Sequence, residues 1–354
     1  MVDTLFPLPT LTDLSRIAVR LPQADATAEA GARARQLQLT KPPGSLGRLE
    51  ELAEFMAGWR ATARPAIANA QALVFAGNHG VCARGVNPFP QAVTAQMVAN
   101  FEAGGAAINQ LCHLNGAQLS VVALDLDRPT ADFTRGPAMS EGECLAALNS
   151  GAAAVDRAAD VLVLGEMGIG NSTVAAALAA ALFGGAATDW VGPGTGADSA
   201  VMARKVMAIE AGLRLHAGLD PAQTLAAFGG REQWAICGAV LAARAARIPV
   251  LLDGYICTAA AAVLHAVDAR LLDHCLVGHV SAEPGHRRLL AALGKRPVLE
   301  FEMRLGEGSG AALALGIVRA ALACHNGMAT FGEAGISEAG AAESVASNSR
   351  TSYQ

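Results

Sequence analysis

Five short apolar runs, separated by longer alanine-rich stretches, constrain this chain more than any other feature of its sequence. The runs occupy residues 71–77, 117–126, 160–166, 248–254 and 274–280. Apolar runs of this length, bounded by turn residues, are typical of strands that are buried on both faces. Strands joined by helices need right-handed crossovers, so the pattern predicts an α/β fold with a mostly parallel sheet and helices on both faces. The functional edge should then be the carboxyl ends of the strands.

The stretches between and around these runs have the composition of helices. Four of them cover residues 93–112, 173–183, 231–246 and 259–267. A capping box formed by Ser140 and Glu143 predicts a further helix that begins near Glu141. The two ends of the chain also look helical and contain no clear strand. We therefore expect a small helical domain formed from residues 1–65 and 300–339, and a large α/β domain over residues 66–299.

Composition limits the partners and the location of the protein. The net charge is −5 and no run of like charges occurs, which leaves no electrostatic footprint for nucleic acid or an anionic membrane. The most apolar stretch, residues 309–324, is interrupted by Arg319, which indicates a buried helix instead of a membrane span. Seven scattered cysteines without a C-x-x-C pair are typical of reduced thiols, so we expect a cytoplasmic protein. Residues 340–354 are small and polar, and we expect a disordered tail.

The histidines show no metal-ligand spacing. No H-E-x-x-H motif occurs, and His274, His279 and His286 are spaced too loosely for a zinc site. We therefore expect structural histidines, no bound metal and no cofactor.

Glycine clusters follow the ends of several predicted strands and indicate phosphate binding. They are GNHG at 77–80, GEMGIGNST at 165–173, GPGTG at 192–196, LDGY at 252–255 and GEGSGA at 306–311. Glycine lets backbone N–H groups approach an anion, and the following helix N-terminus favours negative charge. Packing of tight turns explains any single cluster equally well. Neither the dinucleotide fingerprint nor the P-loop spacing is present. Lys205, nine positions after Gly196 on a predicted helix, either completes an anion site or is a solvated surface lysine.

Carboxylates among these glycines are candidates for proton transfer. Glu166 ends an apolar run, and Glu307 lies between glycines just before an apolar helix. Burial against that helix would raise the pKa of Glu307, as suits a general base. The alternative for Glu307 is an acid that interacts with the helix dipole. Asp253 either orients a sugar hydroxyl or caps a helix, and His79 either touches a ligand or is structural.

Eight motifs in order resemble the nicotinate-nucleotide:dimethylbenzimidazole phosphoribosyltransferase family. They are TKPPGSLGRLE at 40–50, FAGNHGV at 75–81, TAQMVANFEAGGAAIN at 94–109, GEMGIGNST at 165–173, VGPGTG at 191–196, PVLLDGY at 249–255, GHVSAEPGH at 278–286 and RLGEGSGAALAL at 304–315. The resemblance runs from about Lys41 to Gly335. It implies a Rossmann-like domain with a small helical domain from both chain ends, and a homodimer.

The resemblance also implies a reaction. Dimethylbenzimidazole attacks the ribose of nicotinate mononucleotide, and α-ribazole 5′-phosphate and nicotinate are formed. Glu307 matches the catalytic base of the family, Glu166 lies in the same active site, and Lys205 lies near the nucleotide phosphate. The expected substrate-binding positions are Gly168, Gly170, Asn171, Gly194, Gly196, Asp253, Asn78 and His79. An apolar slot for the aromatic base is expected from Val81, Phe89 and Leu305, with a polar contact from Gln91.

This chain departs from the family pattern near the predicted base slot. It has Asn78 where members often have aspartate, and it has Asn87, Pro88 and Phe89 where a serine or alanine with tyrosine is common. The departures concern the preference for one aromatic base over another. Two other functions stay open from the residues alone: a nucleoside hydrolase or phosphorylase, and a nucleotide-binding sensor without activity. A buried Glu307 argues against the sensor, because a binding protein gains little from burying a carboxylate.

Overall fold

A five-stranded parallel sheet forms the centre of the computed structural model, which describes residues 5–194 and 196–337. The strands are β1 (Ala70–Ala76), β2 (Ala117–Ala123), β3 (Val161–Met167), β4 (Val250–Leu252) and β5 (Cys275–Val277). They are ordered β2-β1-β3-β4-β5, and every neighbouring pair is parallel. Each strand overlaps one of the five apolar runs, so the predicted parallel α/β sheet is confirmed.

Fourteen α-helices surround the sheet or form the chain ends in the described residues. The first seven are α1 (Leu14–Ile17), α2 (Ala26–Gln38), α3 (Arg48–Arg60), α4 (Ala92–Glu102), α5 (Ala107–Asn115), α6 (Glu141–Ala153) and α7 (Asn171–Phe183). The other seven are α8 (Ser199–Leu215), α9 (Pro221–Phe228), α10 (Arg231–Ala245), α11 (Tyr255–Val267), α12 (Pro284–Leu293), α13 (Ser309–Gly327) and α14 (Phe331–Ala334). None of the helices described is long and apolar enough to cross a membrane.

Burial along the strands follows their place in the sheet. All seven residues of the inner strand β1 are buried, and β3 is buried except at Met167. The edge strand β2 is only partly covered, with intermediate and exposed positions along its length. Inner strands of a parallel sheet carry helices on both faces, which is why their sequence is an unbroken apolar run.

Two helix expectations had different outcomes. The capping box is confirmed, because the Ser140 hydroxyl accepts from the Glu143 N–H and the Glu143 carboxylate accepts from the Ser140 N–H. The single helical stretch expected over residues 93–112 was wrong, because the structure has two helices there, α4 and α5. They are separated at Gly104, whose φ of +80° favours glycine, and at Gly105, where a Cβ atom would lie 2.2 Å from the Asn100 side chain.

The chain divides into two compact units whose boundaries differ from the expected domains. One unit contains the described residues up to Gln23 together with Ile67–Gly316, and the other contains Ala24–Ala66 and the described residues from Ile317 onward. Leu8 and Leu14 explain the first difference, because they are buried in the core of the larger unit. Glu307 also belongs to the larger unit and not to the smaller one, because the loop that carries it is hydrogen-bonded to the end of β4.

The smaller unit is held together around the end of α13. The Gln36 amide and the His325 ring form a buried hydrogen bond of 2.9 Å, and the Arg35 guanidinium donates to the carbonyls of His325 and Met328. Contact of α2 with the last turns of α13 brings distant parts of the chain into one unit. The expected disordered tail, residues 340–354, lies outside the described residues.

The packing of α6 against α10 depends on glycine. A Cβ atom on Gly238 of α10 would lie 1.8 Å from the carbonyl oxygen of Leu148, and a Cβ atom on Gly151 of α6 would lie 1.9 Å from the carbonyl oxygen of Ala235. The two backbones approach closely because neither glycine has a side chain at the crossing.

We predict that Gly238→Ala destabilises the protein, because the new methyl group meets rigid backbone and must push α6 and α10 apart. Overpacking of this kind costs about 1–3 kcal/mol, and thermal unfolding should show a lower Tm. Gly142→Ala is the matched control, because Gly142 lies in α6 with no atom near its Cβ position. A Gly238→Ala variant as stable as the control would show that the two helices do not need this close approach.

Candidate active site

A cleft opens at the carboxyl ends of β3, β4 and β5, where the parallel sheet predicts a ligand. It holds about 870 Å³ of empty space, part of it open to solvent. Its lining comes from the larger unit. It consists of residues 86–89, 166–172, 253–256 and 304–307, together with Pro193, Gly194, Lys205, His279, Ser281 and Glu283.

Glu307 occupies an unusual backbone position at this cleft. Its φ is +66°, and the flanking Gly306 and Gly308 have φ values of +84° and +85°. A residue with a side chain rarely adopts this left-handed conformation, and when it does so the surrounding structure must hold it there. The side chain is 7% exposed. Burial, with a smaller contribution from the negative charge of Asp253, raises the pKa of Glu307 to about 7.

Two contacts hold the loop of Glu307 against the sheet. Asp253 follows β4, and its carboxylate accepts from the Gly308 N–H at 3.1 Å and from the Ala311 N–H at 2.9 Å. Gly165 in β3 lets the loop approach, because a Cβ atom there would lie 2.5 Å from the nitrogen of Gly308. Asp253 therefore caps a helix, α13, although it is not the helix that directly follows it in the chain.

Glu166 lies at the end of β3 and is almost completely buried. The Asn171 amide donates to its carboxylate in a short contact. Burial, together with the negative charges of Asp253 and Glu232, raises the pKa of Glu166 well above its usual range. Two neighbouring carboxyl groups with raised pKa values are typical of a site that moves protons.

Lys205 also lines the cleft and is not a surface lysine. It is 3% exposed on α8, and its ammonium group donates to the Ser172 hydroxyl and to the Gly192 carbonyl, each at 3.1 Å. Burial lowers the pKa of Lys205, and the negative charge of Glu283 opposes that effect. A buried cation beside a glycine turn and a serine hydroxyl has the donors that an anion needs.

Glu283 is a residue of the cleft that the sequence analysis did not identify. Its carboxylate accepts from the Gly194 N–H at 2.7 Å, and burial raises its pKa. Ser281 and Arg304 line the same part of the cleft. All three belong to motifs that carried the family resemblance, GHVSAEPGH and RLGEGSGAALAL. The signal was present, but none of these residues stands out locally as Glu307 does between its glycines.

Two of the residues expected in the apolar slot lie at the mouth of the cleft. Phe89 and Leu305 line it and are 46% and 48% exposed, so together they present an accessible apolar surface. Val81 is fully buried in the core of the larger unit and does not line the cleft. Its prediction as a lining residue was wrong, because the short helical turn that contains it points this side chain inward.

Of the other predicted binding residues, some line the cleft and others lie outside it. Gly168, Gly170, Asn171 and Gly194 line the cleft, as does Asp253. Gly196, Asn78, His79 and Gln91 do not belong to the lining.

The interior residues have structural partners. The Asn78 amide donates to the Leu126 carbonyl at 2.9 Å, the Gln91 amide donates to the His79 carbonyl, and the His79 ring lies 2.9 Å from the Glu232 carboxylate. The buried His79 and Glu232 lie beneath the Gly168 loop, because a Cβ atom on Gly168 would be 3.0 Å from the His79 ring. Position at a strand end predicted Asn78 and His79 as ligand contacts, but strand position does not say which way a side chain points.

Within the described residues, no group of three or more histidine, cysteine, aspartate or glutamate side chains is arranged to hold a metal ion. The histidines singled out by the sequence have partners within the fold. His274 contacts the Val240 carbonyl, and His286 accepts from the Ser281 N–H. His279 lies 3.6 Å from Asp253.

Comparison with known proteins places these residues in a family context. A family model described as a phosphoribosyltransferase matches residues 21–336. A relative from Rhodobacter capsulatus is 67% identical over 332 residues, which cover 94% of this chain and 99% of the relative. A relative from Ruegeria pomeroyi is 60% identical over 334 residues, with the same two coverages. Both are named nicotinate-nucleotide:dimethylbenzimidazole phosphoribosyltransferase. A crystal structure of the enzyme of that name from Thermus thermophilus is 41% identical with a TM-score of 0.83, covering 89% of this chain and 100% of that one.

We predict that Glu307 titrates with a midpoint of about 7, because its carboxylate is poorly solvated. Infrared spectra of the carboxyl region, recorded against pH for the wild type and for Glu307→Gln, isolate this group as the difference between the two titrations. A midpoint near 4.3, the ordinary value for glutamate, would show that the carboxylate is well solvated and would contradict the burial seen here.

Proposed function

This chain belongs to the nicotinate-nucleotide:dimethylbenzimidazole phosphoribosyltransferase family, and we propose that it catalyses the reaction of that name with Glu307 as the general base. The reaction transfers the phosphoribosyl group of nicotinate mononucleotide to 5,6-dimethylbenzimidazole. The products are α-ribazole 5′-phosphate and nicotinate. The observation that carries the residue assignment is a buried glutamate with a pKa of about 7, held in a left-handed conformation at the edge of the cleft.

The chemistry needs one base and no strong acid. The imine nitrogen of the benzimidazole forms a bond to C1′ of the ribose with its lone pair. The bond from C1′ to the pyridinium nitrogen breaks, and its electrons neutralise that nitrogen, so nicotinate leaves without a proton. The second benzimidazole nitrogen then carries the excess proton, which Glu307 accepts. A base with a pKa near the working pH combines a large deprotonated fraction with useful basicity.

Glu166 is proposed to stay protonated while Glu307 titrates. Its carboxyl group is more deeply buried and has more negative neighbours, and its pKa is raised well above the usual range. A neutral Glu166 adds no second charge beside Glu307. The pKa of Glu307 can then remain close to neutrality, since two ionised carboxylates at one site repel each other.

The two ends of the cleft suit the two ends of the nucleotide. Lys205, Ser172 and the glycine turn at residues 192–194 offer donors for the 5′-phosphate. Phe89 and Leu305 offer an apolar surface for the planar base at the mouth. Phe89 is one of the departures from the family pattern, so the preference among benzimidazoles is proposed to depend on this surface.

A hydrolase or phosphorylase would use the same phosphate and ribose contacts with water or phosphate as the attacking group. The apolar mouth favours an aromatic acceptor, and release of nicotinate should therefore require added benzimidazole. We also propose that the protein is a homodimer of the cytoplasm, as the family resemblance and the free cysteines suggest.

Replacement of Glu307 by glutamine is expected to lower the rate by about 10² to 10⁴, the usual contribution of a positioned base. Glutamine keeps the size of the side chain but accepts no proton. Formation of α-ribazole 5′-phosphate, followed by chromatography, measures the rate. In the wild type, kcat should rise with pH through about 7, because Glu307 accepts a proton only in its ionised form and is protonated below its pKa.

Glu302→Gln is the control for that substitution. Glu302 lies in the same segment, also has a positive φ, and is exposed outside the cleft lining, so the rate and pH profile should stay at wild-type values. Near wild-type turnover in Glu307→Gln would exclude Glu307 as the base and make Glu166 the next residue to substitute.

Removal of the Lys205 ammonium should weaken nicotinate mononucleotide binding. Lys205→Ala is expected to cost about 1.5–3 kcal/mol, the range for a hydrogen bond to a charged group, and calorimetry without benzimidazole measures it. Arg214→Ala removes one positive charge from the exposed face of the same helix and should leave the affinity unchanged. Equal affinities for the two variants would show that the phosphate does not contact Lys205.

A further inference from the structure

The glycine turn beside Lys205 already holds an anion of the protein itself. The Glu283 carboxylate accepts from the Gly194 N–H with one oxygen, Oε1. Its other oxygen, Oε2, is buried and has no hydrogen-bond partner among the described residues. A Cβ atom on Gly192 would lie 2.1 Å from Oε2, so the turn closes tightly over the carboxylate.

Lys205 contacts the same turn. Its ammonium donates to the Gly192 carbonyl, two residues before the N–H that Glu283 accepts. The free protein thus places one positive and one negative side chain on a single turn, and their charges offset each other. A buried cation and a buried carboxylate are each costly without such compensation.

We propose that Glu283 is a further residue of the nucleotide site, an internal anion that accepts a proton when the nucleotide phosphate binds beside it. This inference rests on the proposed phosphate contact of Lys205. Glu283 then takes up a proton from solvent each time the nucleotide binds.

Charge balance supplies the physical reason. A phosphate dianion at Lys205 would lie close to an ionised Glu283, and like charges that share a poorly solvated site cannot both remain ionised. The phosphate replaces Glu283 as the counter-ion of Lys205, and Glu283 gains a proton. The unpartnered Oε2 is where that proton can reside.

The groups that face Glu283 are consistent with this exchange. Lys205 reaches it from α8 and Arg304 from the segment before α13, and both positive charges favour the ionised form. Tyr255, from α11, stays neutral because burial raises the pKa of its phenol well above 10. Burial nevertheless raises the pKa of Glu283 in the free protein, and the negative charge of a bound phosphate would raise it further.

Calorimetry in buffers of different ionisation enthalpy tests the proposal, since it counts the protons taken up as nicotinate mononucleotide binds. At pH 7.5 the phosphate, whose second pKa is about 6, is already mostly a dianion. If the remaining monoanionic phosphate lost its proton on binding, that proton would be released. The measured proton count would then have the opposite sign to the expected uptake. The wild type should take up a fraction of one proton, and its affinity for the nucleotide should fall as the pH rises.

Glu283→Gln should still bind the nucleotide, because the glutamine oxygen accepts the Gly194 N–H, but proton uptake should disappear and affinity should no longer fall with pH. Glu302→Gln and Glu307→Gln should both keep the uptake. Uptake that persists in Glu283→Gln, or that vanishes in Glu307→Gln, overturns the proposal.

A second measurement needs no variant and covers the case in which Glu283→Gln fails to fold. Nicotinate riboside, which lacks the phosphate, should bind the wild type without proton uptake. Equal uptake for riboside and nucleotide would overturn the proposal. Failure of the underlying phosphate contact is recognised separately, because Lys205→Ala would then bind the nucleotide as tightly as the wild type does.

Discussion

The arrangement of the cleft depends on two hydrogen bonds accepted by the Asp253 carboxylate. It lies at the end of β4, and it accepts from the N–H groups of Gly308 and Ala311. Those two bonds tie the start of α13 to the sheet and keep Glu307 in a conformation that it would not adopt alone. Its negative charge also acts on Glu307 and Glu166 and raises the pKa of both. One side chain thus helps to hold the proposed base in position and adds to the rise in its pKa, of which burial is the larger cause.

The cleft also requires backbone segments to approach one another closely, and glycine makes this possible. Gly165 allows the Glu307 loop to touch β3, and Gly310 allows α13 to pass the His279 ring, where a Cβ atom would lie 1.9 Å away. Many of the glycines that suggested phosphate binding therefore have a packing role as well. At GEGSGA, close packing of the glycines is evident alongside the proposed catalytic role of Glu307.

Local pattern predicted the fold and part of the cleft, for a physical reason. Strands buried on both faces are apolar throughout, and the carboxyl ends of parallel strands meet at one edge of the sheet. Glu166 and Asp253 were therefore identified from their places at the ends of β3 and β4. The same reasoning failed for Asn78 and Val81, because it locates a residue along the chain and not the direction of its side chain. Glu283 was missed for a different reason, since its environment is created by the turn at residues 192–194, which is distant in the sequence.

The distribution of charge in the cleft explains why so many ionisable groups can be buried together. Near Glu307, the carboxyl groups of Glu166 and Glu307 have raised pKa values, so protonation removes part of the negative charge. At the glycine turn of residues 192–194, the positive charge of Lys205 and the negative charge of Glu283 offset each other. A substrate with a positive pyridinium ring and a negative phosphate group carries the complementary charges. On the proposal made above, its phosphate takes over from Glu283 as the counter-ion of Lys205. Its pyridinium ring loses its positive charge when the bond to C1′ breaks, and the nicotinate that leaves is an anion. Negative neighbours therefore favour the substrate before transfer and hold the released nicotinate less strongly afterwards.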